Sequence, residues 1–183
     1  MPWVSVIGFM CCGKSASGRS LARQLGWPHY DTDSMIVERT GLEVAEIFAS
    51  MGEEAFRRME SEVVEELAPE RDAVVSTGGG FVLNEIAMEI LRVQGPIFWL
   101  RVEPEDVAER ARRPWAPRRP MLEGPDLEDR VAQLMRQREP LYRKYGISVP
   151  GGFDHPRNAA RHMIQLLREM DGFGVYFGAS DGS

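Results

Sequence analysis

Apolar positions along this chain alternate between two rhythms. Short unbroken runs, Trp3 to Ile7, Ala73 to Ser76 and Ile97 to Val102, read as buried strands, with shorter ones at His29-Tyr30 and Ile147 to Val149. Between them the apolar residues recur at helical spacing. Ser15 to Leu25 places Leu21, Ala22 and Leu25 on one face, and Gly26 and Pro28 stop it. Ser34 to Thr40 ends at Gly41, and Val44, Ile47 and Phe48 form a short amphipathic piece. Glu53 to Leu67 carries Phe56, Met59, Val63 and Leu67 and stops at Pro69. Asn84 is an N-cap for a helix to Val93, Gly95-Pro96 is a turn, and Pro104 opens a helix to about Arg112. Asp126 to Lys144 is predicted as a long helix disturbed at Pro140, and Arg157 to Met170 as a closing one. Strands alternating with helices in this way predict an α/β fold, a three-layer sandwich with a five-stranded parallel sheet covered on both faces. Ligands of such sheets lie at the carboxyl ends of the strands.

Two stretches stand outside this rhythm. Residues 113–124 hold Pro114, Pro117 and Pro120 with Arg113, Arg118 and Arg119, and cannot form a regular helix, so a mobile surface segment is expected. Residues 171–183 form a tail without periodicity, which leaves a single domain over residues 1–170. The whole has 183 residues, 43% hydrophobic and 27% charged, as an ordinary globular protein does. Its formal net charge of −6 argues against general nucleic-acid binding, and one short basic loop does not reverse that. No apolar run is long enough to span a membrane and no leader is recognised. Adjacent Cys11 and Cys12 cannot build a disulfide framework and fit a reducing cytoplasm.

The chemistry starts at Gly8-Phe9-Met10-Cys11-Cys12-Gly13-Lys14-Ser15, set between a strand and a helix. That is the context a P-loop requires. Backbone N–H groups of such a loop turn inward as an anion nest, and the helix adds its free donors and positive dipole end. Lys14 can then reach the outer phosphates, and the Ser15 hydroxyl can join the coordination of Mg²⁺. Two further stretches follow strands, Asp31-Thr32-Asp33 and Thr77-Gly78-Gly79-Gly80, so all three converge at one sheet edge. Taken alone, Asp-x-Asp is also an ordinary turn and helix cap, the glycine run a tight turn, and a helical arginine a solvated one.

Together with Gly52-Glu53-Glu54-Ala55-Phe56-Arg57-Arg58-Met59-Glu60, Arg119-Pro120-Met121-Leu122 and Arg138-Glu139-Pro140-Leu141-Tyr142, these stretches resemble the shikimate kinase family over about Val4 to Met170. The resemblance implies a P-loop kinase fold with a mobile lid at about 113–124. It implies transfer of a phosphoryl group from ATP, with Mg²⁺, to the 3-hydroxyl of shikimate, towards chorismate and the aromatic amino acids. It implies that Arg57 and Arg138 clamp the substrate carboxylate, which a guanidinium fork suits. Asp33 accepts hydrogen bonds from the substrate hydroxyls and acts as the base, while Gly79 and Gly80 offer N–H groups. Gly8, Cys11, Cys12, Gly13, Lys14, Ser15 and Ala16 hold the nucleotide phosphates. Ser15 and Asp31 hold the metal, Arg110 covers the adenine, and Lys14 and Arg119 stabilise the transferred charge.

The chain departs from the family pattern at Cys11, where glycine is usual, at Ala16, where threonine is usual, and in a stretch between Arg110 and Arg119 about two residues longer. If the glycine serves a positive φ, Cys11 is strained. Arg58 is expected at the surface. Trp115 and Tyr142 could stack on a base, although Tyr142 is expected to pack the last helix. His29, His155 and His162 form no recognisable cluster. A monomer is expected, with shikimate and ATP as its partners. A nucleotide-binding relative with weak catalysis and a kinase for another sugar acid such as gluconate are the alternatives.

Overall fold

The computed structural model describes residues 3–113, 122, 126–151 and 156–173. Five parallel strands, β1 (Val4–Ile7), β2 (His29–Asp31), β3 (Val74–Ser76), β4 (Ile97–Arg101) and β5 (Ile147–Pro150), form one sheet in the order β2-β3-β1-β4-β5. The alternation of side chains explains why β1 reads as a solid apolar run. Val4 and Val6 enter one core cluster, while Trp3 and Ile7, at the strand's two ends, enter the other. Phe98 and Leu100 of β4 divide from Ile97 and Trp99 in the same way.

Seven helices cover the sheet among the described residues: α1 (Lys14–Leu25), α2 (Thr32–Thr40), α3 (Val44–Leu67), α4 (Glu85–Gln94), α5 (Pro104–Ala111), α6 (Leu127–Tyr145) and α7 (Pro156–Glu169). Their ends follow the local chemistry. Gly26 closes α1 in the left-handed conformation, and its N–H bonds to the Ala22 carbonyl. Asp31 and Asn84 cap α2 and α4 by accepting from Ser34 N and Ala87 N. The helix expected at Glu53 and the short piece before it form one run, bent where Gly52 leaves helical geometry at φ 84°, ψ 170°. Pro140 is accommodated inside α6. A short 3₁₀ turn, Phe81–Leu83, links β3 to α4 and has no signal in the apolar periodicity.

Of the segment expected as a lid, Arg113 and Leu122 are described. Leu122 is buried in the core cluster with Val107 and Val131, so this position belongs to the apolar pattern after all. Arg119, Trp115, His155 and the tail beyond Phe173 lie outside the described residues.

Candidate active site

The loop after β1 folds over its own cation. Gly8 follows the strand, Gly13 turns the chain into α1 at φ 93°, and buried Lys14 donates through Nζ to the Phe9 carbonyl at 2.8 Å. Cys12 is buried with its Sγ 3.8 Å from that ammonium. Cys11 is half-buried, and its φ of 61° confirms a left-handed position occupied by a residue other than glycine. Arg110 reaches across from α5, and its Nη1 donates to the Cys11 carbonyl at 2.9 Å. Ala16 lies half-buried one residue beyond Ser15 in the first turn of α1.

Ser15 Oγ donates to Asp31 Oδ2 at 2.5 Å, joining the first turn of α1 to the end of β2. The other Asp31 oxygen accepts from Ser34 N at 3.3 Å. Asp31 is therefore a cap and a partner of the P-loop serine at once. Two hard oxygen donors in contact suit Mg²⁺, which takes one or two protein oxygens and fills its shell from phosphate and water. No group of three or more His, Cys, Asp or Glu side chains able to hold a metal occurs among the described residues.

The second half of the site is built around Thr77–Gly80. A side chain at Gly78 would collide with the Asp33 carboxylate, so glycine lets that carboxylate lie against the backbone. Gly78 N donates to the Thr32 hydroxyl at 3.3 Å, which locks the two loops together. A Cβ at Gly79 would stand 2.7 Å from Met10 N, so the glycine loop rests directly on the P-loop backbone. A Cβ at Gly80 would stand 3.0 Å from Arg57 Nη2, which places that guanidinium against the loop. Arg138, buried on α6, donates through Nη1 to the Gly79 carbonyl at 3.2 Å and lies over the Phe9 ring at 5.6 Å.

Arg57 does not act alone. Its Nη1 donates to both oxygens of Glu60, at 3.0 and 2.9 Å, and its Nη2 to Glu53 at 2.9 Å. Glu60 is fully buried and also accepts from Asn84 Nδ2 at 3.3 Å. Burial pushes the Glu60 carboxyl up to about 7, against the pull of Arg57 and Asn84, and nearby Asp33 adds to the rise. Burial also works against the Arg57 charge, but Glu60 and Glu53 outweigh it and hold the guanidinium above its ordinary value. Arg58, one residue on, faces solvent and pairs with Glu54 at 3.2 Å.

The structure thus brings Asp33, Arg57, Arg138, Gly79 and Gly80 to one place beside Lys14, Ser15 and Asp31. Sequence reasoning gave no role to Glu60, and the signal was an acid three residues after Arg57 on the same helix face. It also misplaced Tyr142. That residue packs not on the last helix but against Trp99 of β4, with ring centroids 5.7 Å apart, and its hydroxyl donates to the Gly79 carbonyl at 2.8 Å. His29 has a structural partner, with Nε2 2.9 Å from Ser76 Oγ.

A family model described as shikimate kinase matches residues 10–168. A shikimate kinase of Moorella thermoacetica is 48% identical over 165 residues, covering 90% of this chain and 94% of that one. The shikimate kinase of Acinetobacter baumannii, solved in complex with shikimate, superposes with a TM-score of 0.85 at 30% identity, over 92% of this chain and 94% of that one. The enzyme of Aquifex aeolicus gives 0.78 at 34% identity, over 91% and 96% of the two chains. A gluconokinase of Sinorhizobium meliloti, over 97% of both chains, gives 0.58 at 16% identity, which is a likeness of fold.

Proposed function

The chain belongs to the shikimate kinase family, and on that premise we propose that it phosphorylates the 3-hydroxyl of shikimate, producing shikimate 3-phosphate and ADP. The family uses ATP as cosubstrate. The observation that carries the reading is the joining of two half-sites. Arg57, Arg138 and Asp33 surround Gly78–Gly80, and Gly79 rests on Met10 of the P-loop. A small hydroxylated carboxylate bound there lies next to a nucleotide's outer phosphate.

Each residue has a chemical task. Arg57 and Arg138 bind and orient the carboxylate, since two guanidinium forks fix a planar anion in position as well as in charge. The N–H groups of Gly79 and Gly80, which find no acceptor among the described residues, serve the substrate hydroxyls. Asp33 orients the attacking hydroxyl and takes its proton. Lys14 leaves the Phe9 carbonyl for the transferred phosphate, and the loop's N–H groups hold the rest of the chain of phosphates. Ser15 and Asp31 would hold Mg²⁺, which would supply positive charge to the phosphates when bound. Arg110, half-buried beside the loop, covers the base. Arg119 enters from the sequence alone, as a cation contributed to the transferred group.

A monomer in the cytosol completes the proposal. Both cysteines are free thiols, which suits a reducing compartment, and among the described residues no helix is long and apolar enough to cross a membrane. An ADP-release assay with shikimate, quinate and gluconate tests it. Turnover with shikimate well above the other two is expected. Preference for gluconate would move the chain to another sugar acid, and no turnover with any would leave a nucleotide-binding relative.

A further inference from the structure

The Gly79 carbonyl receives two donors from one face of α6, Tyr142 Oη at 2.8 Å and Arg138 Nη1 at 3.2 Å. The two donors differ in freedom. The Tyr142 ring is buried and stacked on Trp99 with an interplanar angle of 13°, so its hydroxyl has one place to be. Burial also pushes the phenol well up, which keeps its proton on at any working pH. Arg138, in the reading above, must turn part of its guanidinium to a carboxylate. A peptide unit is planar and trans, so the Gly79 carbonyl and the Gly80 N–H point in opposite directions. Whatever fixes that carbonyl also aims that N–H.

We propose that Tyr142 is a positioning residue of the acid site: its hydroxyl holds the Gly79 carbonyl, and so the direction of the Gly80 N–H, while Arg138 engages the substrate. The proposal rests on the shikimate reading for its kinetic consequence and on the hydrogen bond alone for its structural one. With the phenol in place, Arg138 can move without loosening the glycine loop. The contact of Gly79 with Met10 then keeps the acid pocket in register with the P-loop.

Tyr142→Phe keeps the ring and its stacking and removes the hydroxyl. Loss of one donor to a buried carbonyl should raise the KM and Kd for shikimate about tenfold. The kcat should stay within about threefold, because an N–H that binds ground and transition states alike acts on KM. The Kd for MgATP without shikimate should stay within about twofold, and the Gly80 amide nitrogen resonance, which senses the hydrogen bond on the preceding carbonyl, should move. An unchanged shikimate KM with an unmoved Gly80 amide resonance overturns the proposal. So does a joint fall of kcat, MgATP affinity and thermal midpoint, which would mark the phenol as general scaffolding. Should the phenylalanine variant fail to fold, Trp99→Phe keeps the phenol on a smaller stacking surface. It should raise shikimate KM about threefold, and no rise overturns the proposal. If the unaltered chain binds MgATP but neither binds nor phosphorylates shikimate, the functional reading falls. The Gly80 resonance comparison then still decides whether Tyr142 holds that peptide.

Discussion

The two halves of this site are made by different means. On the proposed function, the nucleotide half is one continuous stretch, Gly8 to Ser15, whose working parts would be backbone N–H groups with one lysine and one serine. The acid half has no stretch of its own. It draws Asp33 from α2, Arg57 and Glu60 from α3, Gly78–Gly80 from the loop after β3, and Arg138 and Tyr142 from α6. A backbone nest tolerates change in its side chains, which accommodates the departures from the expected pattern at Cys11 and Ala16. The acid half offers no such latitude, because each side chain there answers to another. Charge is arranged differently too. Lys14 meets a carbonyl, whereas Arg57 is held by two carboxylates, one of them fully buried.

Asp33 belongs to both halves, lying two residues from Asp31 and against Gly78. Breaking the site there should cost most. Asp33→Asn keeps the shape and loses the proton acceptor, so turnover should fall by ~10²–10⁴ with the fold intact. Steady-state kinetics beside a thermal melt checks this. A variant retaining more than roughly a third of the original turnover removes Asp33 as the base.

The two arginines should then separate from one another. Arg57→Ala and Arg138→Ala should each weaken shikimate binding by about 2–3 kcal/mol and leave MgATP binding in place, as titration calorimetry can measure. Only Arg57→Ala also strands Glu60, a carboxylate with 0% exposure. That should lower stability by about 3–5 kcal/mol, which chemical denaturation reads. Adding Glu60→Gln should return most of the stability and none of the binding. If Arg57→Ala is as stable as Arg138→Ala, the buried pair is not what the structure implies.

These dependences explain what the sequence could reveal. The order of strands and helices was legible because parallel strands buried on both faces are solid apolar runs, and because Gly26, Asn84 and Pro104 mark element ends locally. The P-loop was legible for the same reason, since its chemistry is contained in neighbouring residues. Arg57 and Arg138 could be named only through the resemblance, because an arginine on a helix carries no local sign of what it faces, whereas Asp33 stood out by its place after a strand and took only its role from the resemblance. The packing of Gly79 on Met10 and the phenol of Tyr142 on Gly79 join residues 69 and 63 positions apart in contacts no periodicity encodes. The 3₁₀ turn at Phe81–Leu83 and the burial of Leu122 were missed because tertiary packing decides such short pieces.

Acid sharpens the contrast, since the acid half holds a titrating group inside the fold. Glu60 rises from an ordinary 4.5 to about 7 in the folded chain. Between those values the folded state holds a proton that the unfolded state has released. Stability should therefore fall as pH rises through that window, by about 3 kcal/mol at most, and level off above it. Denaturation midpoints of the unaltered chain and Glu60→Gln, compared from pH 4.5 to 8, isolate this group from the others. The difference between them should change through the window and be flat above it. A difference independent of pH would show that Arg57 keeps Glu60 ionised throughout.

The smallest effect is expected in the nucleotide half, at Cys11. Its φ of 61° is a conformation that costs a side-chain-bearing residue about 1–2 kcal/mol and glycine nearly nothing. Cys11→Gly removes that strain but frees the unfolded chain, which takes back about 0.4–1 kcal/mol. The net gain should be at most about 1 kcal/mol, with MgATP affinity held or slightly raised, because the groups serving phosphate are main-chain ones. The bond from Arg110 to the Cys11 carbonyl is unaffected by the side chain, so it should survive. Cys11→Ala separates the two contributions: it keeps the strain, loses the thiol, and should be no more stable than the cysteine chain. A loss of stability in both variants would mean that the half-buried thiol is a packing residue whose contacts outweigh the strain beneath it. A gain confined to glycine would mean that the backbone governs this position, as it does the rest of the loop.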